Sequence, residues 1–242
     1  NKRIAAECLG RIGSSMHVPM LLNTLSGKID RALEHSLIFA AIEIGDSTPI
    51  KALLKSTNNA TVRGALIALD QIPGSELPPE LAITAIQSNN PEMQKTGWWL
   101  VANHPSWAAF LADYFATNIQ SKHLNSEQRQ QLLQRLTQHL NTPEILRIAG
   151  ELLGPGDSST QAFVLEAIGN TKLDTIPESI KDGVLIGLQS TNPTALSLAV
   201  HAANTIRGDK PNDALQARLL EVYREKTNSP IIRLAAFSAI PP

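Results

Sequence analysis

The sequence predicts an all-α fold: a right-handed α-solenoid of about seven stacked helix pairs, preceded by an orphan N-terminal helix. Three observations carry this prediction. Similar apolar segments recur about every thirty residues. They close on glycine or proline at matching positions, and no stretch alternates with period two for long enough to make a sheet.

The recurring segment reads as the second helix of a pair. Arg3–Gly13 carries Ala6, Leu9 and Ile12 at helical spacing, His35–Gly45 carries Ile38, Ala41 and Ile44, and Arg63–Pro73 carries Leu66, Leu69 and Ile72. A fourth copy runs from Lys95 through Trp98 and Val101 to His104 and Pro105. The closing residues Gly13, Gly45, Pro73 and Pro105 stand 32, 28 and 32 residues apart. Glycine supplies the left-handed residue that ends a helix, and proline forbids its continuation. Weaker copies close at Leu140, Ile168-Gly169, Ile206 and Ile240-Pro241.

After a first helix over 2–12, the pairs are expected at 17–44, 48–72, 78–104, 106–140, 143–168, 177–206 and 211–240. Ser47-Thr48-Pro49, Asn90-Pro91, Thr142-Pro143, Asn192-Pro193 and Ser229-Pro230 each place a capping oxygen before a first-turn proline. Leu33, Leu37, Ala40 and Ile44 form one apolar stripe, while Ile38 and Ile42 form another. Two stripes are what a helix needs when it packs against its own partner and the next repeat. The whole of 1–242 is expected to be a single solenoid, with clear repeats over 1–110 and divergent ones over 111–242. The first helix lacks a partner, so Ala5, Leu9 and Ile12 should expose part of an end face. The chain opens at Asn1-Lys2-Arg3 inside a helical pattern and ends at Ile240-Pro241-Pro242, so it is expected to be a fragment of a longer protein.

Composition narrows the function classes. A formal net charge of −1 opposes a nucleic-acid groove, which needs a surplus of Lys and Arg. No apolar run approaches the ~18 residues that cross a bilayer, so membrane insertion is not expected. Cys8 is the single cysteine, which excludes an intramolecular disulfide, a zinc cluster and a CxxC pair.

Arginine or lysine entering an Ala- and Leu-rich second helix at this repeat length resembles the HEAT family. The phrases Asp30–Ile44, Arg63–Gly74 and Gly97–Trp107 are similar to the HEAT segment of bacterial PVC-type haem-binding CxxCH proteins, the membrane-bound dehydrogenase-like multidomain proteins. The similarity is best over 1–110. It implies an extracytoplasmic parent with propeller and cytochrome c modules, an oxidoreductase with electron transfer, and c-type haem elsewhere in that parent. Cys8 is followed by Leu9-Gly10-Arg11 and not by the x-x-Cys-His of a haem site, so no cofactor is expected in this chain.

The histidines, His17, His35, His104, His123, His139 and His201, include no H-x-x-x-H pair and no His-Glu dipeptide of the kind that holds iron in deoxyhypusine hydroxylase-like helical repeats. They read as structural or solvated, and no metal site is expected. Trp98, Trp99 and Trp107 gather near His104. Trp98 is expected to fill the core column of Ile38 and Leu66. Trp99, Trp107 and His104 are the candidate partner contacts, since exposed aromatic side chains make interface hot spots. Arg3, Arg31, Arg63 and Lys95 open second helices and should pair with carboxylates or carbonyls of neighbouring repeats. Cys8 should be a small buried hydrophobe. No GxSxG, P-loop, GxGxxG or acid/base carboxylate pair is present.

The expected function is a non-catalytic scaffold, not an enzyme. Its concave face of second helices would hold a protein or a neighbouring domain of the same chain, the fragment itself being monomeric. The alternative is a HEAT-like ligand-binding or catalytic solenoid of the bilin-lyase or DNA-glycosylase type.

Overall fold

In the computed structural model the described residues are 2–121, 124–154, 156–206 and 213–240. His123, Pro155, Pro241 and the start of the last pair at 211–212 lie outside them. Every regular element among the described residues is helical. The chain forms two compact units, Asn1–Phe110 and Leu111–Pro242.

The first unit contains α1 (Lys2–Ile12), α2 (Val18–Asn23), α3 (Arg31–Ile44), α4 (Ser47–Leu53), α5 (Asn59–Gln71), α6 (Pro79–Ile86) and α7 (Pro91–Asn103). Short 3₁₀ turns stand at Ser15–His17, Thr24–Ser26 and Pro105–Trp107. The helices pair as α2/α3, α4/α5 and α6/α7. Second helices stack on one another in the order α1, α3, α5, α7, while α2 packs on α4. The lone α1 thus occupies the place of a second helix, as its sequence register requires.

After α8 (Ala108–Ile119), the second unit continues with α9 (Ser126–His139), α10 (Pro143–Leu152), α11 (Ser158–Gly169), α12 (Glu178–Gly187), α13 (Pro193–Ile206), α14 (Asp213–Arg224) and α15 (Pro230–Ala239). Here α9, α11, α13 and α15 stack as second helices, with α10, α12 and α14 behind them. The fold is an all-α solenoid of HEAT-like helix pairs.

Local chemistry explains the boundaries. Gly45 closes α3 at φ 73° and Gly74 follows α5 at φ 76°, both in the left-handed region where a Cβ is costly. Three second helices start from one Ser-x-Asn device. The Asn58, Asn90 and Asn192 N–H groups donate to Ser56, Ser88 and Ser190 hydroxyls at 3.1, 3.1 and 3.2 Å. Each Asn oxygen then accepts two helix N–H groups, at 2.9–3.2 Å. Ser229 caps α15 as expected, accepting from the Ile232 N–H at 3.3 Å. Two expected caps differ. Asp46, not Ser47, caps α4, accepting from Thr48 at 2.9 Å. Thr142 precedes α10 without a side-chain bond to it; its neighbour Asn141 instead ties to the next repeat through the Lys172 carbonyl and the Asp174 N–H.

Small residues let the layers approach. At Gly97 in α7, a Cβ would lie 2.6 Å from the Ile86 backbone nitrogen and 2.8 Å from the Ala82 carbonyl oxygen of α6. The helix pair closes over that missing methyl group. Ala40, Ala65 and Ala68 of α3 and α5 are fully buried, Ala40 against Gly10 of α1. Polar ties run from repeat to repeat. Arg63 of α5 pairs with Glu34 of α3, Arg129 of α9 with Glu166 of α11 at 3.1 Å, and the Thr205 hydroxyl of α13 donates to the Gly169 carbonyl at 3.0 Å.

Cys8 is a correction to the sequence reading: it is exposed. Its register equivalents Ala40, Ala68 and Leu100 are completely buried. Ala40 packs against Gly10 of α1, the second helix before its own, and no described helix stands on that side of α1. The same opening leaves Ile12 at 85 % exposure. Trp98 stands in the column of Ile38 and Leu66 but is half-buried, because an indole is too large to be enclosed where the column otherwise holds smaller side chains.

Gly97→Ala should destabilise the chain by roughly 1–3 kcal/mol through overpacking against α6. A urea melt of the variant beside the wild type measures this, and an unchanged midpoint would refute the close-approach role.

Candidate functional site

The repeat register places three surface positions of each second helix in line across the first unit. Arg3, His35, Arg63 and Lys95 form one row. Glu7, Phe39, Ile67 and Trp99 form the next, and Arg11, Glu43, Gln71 and Asn103 the third. A solvated helix face is normally polar throughout. Here the middle row turns apolar over α3, α5 and α7, with Phe39 at 47 % and Trp99 at 40 % exposure and Ile67 half-buried between them.

Trp99 lines a crevice of about 240 Å³ between α5 and α7, together with Arg63, Ile67, Glu92, Lys95 and Thr96. Each wall is held. The Lys95 ammonium donates to Glu92 at 2.7 Å. The Thr96 hydroxyl donates to the Glu92 carbonyl at 3.0 Å, so its buried oxygen is satisfied within its own helix. The hydrogen bond and charge of Lys95, with a smaller effect of Arg63, hold the Glu92 carboxyl below the usual carboxylate range. The crevice therefore offers a fixed indole edge among charges of both signs.

The other two candidate contacts stand elsewhere. His104 follows Trp99 by five residues, about 140° further round the helix. Its Nε2 lies 2.5 Å from Oδ1 of Asp70, whose side chain is only 3 % exposed. Its ring stacks on Trp107 with centroids 4.0 Å apart and planes 11° from parallel. His104 and Trp107 are thus brought together, and Trp99 is separate from both. The contact with Asp70 fastens the end of α7 to the end of α5. Asp70 itself carries no local motif that marks it; only its place 34 residues before His104, one repeat away, links the two.

The expectation that helix-opening bases pair between repeats holds for Arg63. Arg3 and Lys95 pair inside their own helices, with Glu7 at 3.1 Å and Glu92 at 2.7 Å.

A second ionisable cluster lies in the second unit, where Tyr114 and Phe115 of α8 meet Arg135 and His139 of α9. The Phe115 and His139 rings are 6.3 Å apart. Burial first, and the Arg135 charge second, lower the His139 pKa from its ordinary 6.5. Burial pushes the Tyr114 hydroxyl up, opposed by Arg135. Among the described residues, no three His, Cys, Asp or Glu side chains are grouped to hold a metal ion, and no helix is long and apolar enough to cross a membrane.

Removing the imidazole in His104→Ala leaves the Asp70 carboxylate buried without it, which should cost about 1–3 kcal/mol in a denaturant melt; a loss below about 0.5 kcal/mol would show the brace to be idle. His139 binds its proton less readily folded than unfolded. Its contribution to stability is therefore whole above pH 6.5 and is lost as the pH falls from there through the folded pKa. Urea melts from pH 8 to 5 should show this decline, and His139→Gln should flatten it.

No family model matches the chain, and no curated protein is found as a relative. The likeness to the HEAT segment of haem-binding proteins therefore remains one of sequence phrases. Among solved structures, the chain is similar to human deoxyhypusine hydroxylase in complex with glycerol, at 15 % identity and a TM-score of 0.41, covering 98 % of this chain and 86 % of that one. That protein is an enzyme. The expectation that this chain is not an enzyme is corrected: the lack of a familiar motif in a helical repeat does not exclude catalysis.

Proposed function

We propose that this chain binds a protein, either a separate partner or a sister domain of the same polypeptide, across the outer surface of α3, α5 and α7, with Trp99 as the anchoring contact. The observation that carries this reading is the row Phe39, Ile67 and Trp99. Three consecutive second helices place apolar side chains at the one surface position where a solvated helix would place polar ones. The exposed part of such a row is unfavourable in water, and a partner that covers it recovers that free energy. Trp99 has the traits of a hot spot, a large ring at a crevice rim with charged neighbours around it. His104 and Trp107 support the surface from the far side of α7, where they are engaged with Asp70 and with each other.

The test is affinity capture from the native source with wild type and Trp99→Ala side by side. The variant should weaken capture of the partner by about 2 kcal/mol, roughly thirty-fold, with a melting curve within about 1 kcal/mol of wild type. Identical capture by both proteins would reject the proposal.

A further inference from the structure

We infer that the first unit carries two copies of one recognition crevice, and that together they bind an acidic peptide segment with two apolar anchors. This deepens the partner-binding reading above and rests on it. The second copy lies between α1 and α3 and has a volume of about 400 Å³. Six of its lining positions match those of the α5/α7 crevice, and Arg11 and Glu43 line the first crevice alone. Arg3 of one wall corresponds to Arg63. On the facing wall, His35 corresponds to Lys95 and Phe39 to Trp99. Even the floor is the same. The Ser36 hydroxyl donates to the Ala32 carbonyl at 3.1 Å, as Thr96 does to Glu92 at 3.0 Å.

What the two copies share defines what both can recognise. They share a guanidinium on one wall, a nitrogen base on the other and an exposed aromatic ring one turn beyond it. They do not share their acids: Glu7 of the first stands where the second has Ile67, Glu92 of the second stands where the first has Ala32, and Glu43, beside Arg11, lines the first alone. The common chemistry is therefore complementary to a carboxylate next to an apolar side chain. Arg3, Arg63 and Lys95 each meet one glutamate, but a guanidinium has five N–H donors and an ammonium three, and neither is saturated by one carboxylate.

Spacing sets the form of the ligand. The crevices are two repeats apart, which at 8–10 Å per packed helix is about 16–20 Å. An extended chain covers that distance in about five or six residues. A segment with two acidic–apolar pairs at that interval engages both crevices, and its second contact forms at the high effective concentration set by the linker.

The test uses the full 242-residue chain and fluorescein-labelled peptides in an anisotropy titration. One peptide has two Asp-Leu pairs five or six residues apart on a Gly-Ser backbone, one has a single pair, and one has Lys-Leu in place of each Asp-Leu. The tandem Asp-Leu peptide should bind at least about ten-fold tighter than either control. Phe39→Ala and Trp99→Ala should each reduce it to the single-pair affinity while leaving the far-UV circular dichroism unchanged. Equal binding of single and tandem peptides, or no binding by any of them, would overturn the inference. So would a Lys-Leu peptide that binds as tightly as Asp-Leu, and if Trp99→Ala abolished that binding, docking on the second helices would still stand.

Discussion

The close contact of one helix with the next through small side chains is the constraint on which the rest depends. Gly97 against the backbone of α6 is its sharpest instance, and Ala40, Ala65 and Ala68 repeat it across the first unit. Helices held this near have no freedom to rotate, because a turn of even a few tens of degrees would drive a Cβ into a neighbouring backbone. The outward rows are therefore as fixed in direction as the buried ones. A surface aromatic such as Trp99 is aimed by packing on the opposite side of its own helix.

The polar ties act in the same sense. Arg63 with Glu34 and Asp70 with His104 each join successive second helices, the first beside the surface row and the second on the far side of α7. Single exposed ion pairs contribute little to stability. The Asp70 contact differs because its carboxylate is almost wholly enclosed, and loss of the imidazole leaves it only the donor of the neighbouring Gln71 amide. The end of α7, where a one-residue cap gives way to a 3₁₀ turn, is secured by it and by the ring of Trp107.

The architecture was legible in the sequence because repeat register is written in backbone chemistry. Gly45 and Gly74 are required by positive φ, and Asn90 and Asn192 by unpaired helix N–H groups, so these residues mark boundaries wherever they recur. Side-chain environment was less legible, since it depends on which neighbour is present. Cys8 and Ala40 occupy the same register and read alike as small core residues, yet Ala40 is covered by α1 while no described helix covers the same side of α1. Asp46 displaced Ser47 as a cap by one residue, a shift that periodicity does not resolve. Of the candidate contacts, Trp99 was visible as an aromatic residue, but Phe39 and Ile67 were hidden among other apolar residues until their outward direction was known. The Asp70–His104 pair was out of reach for a different reason: its members sit in different repeats and neither forms a local motif.

The partition between inner and outer rows has an evolutionary consequence. None of positions 39, 67 and 99 is among the groups that meet at Gly97, so they can diversify while that seam stays constant. Substitution at a few outward sites would then alter the surface of an unaltered framework, and duplication of a helix pair would lengthen that surface by one position. A lineage of such chains would be expected to diverge fastest along that stripe and slowest at its glycines.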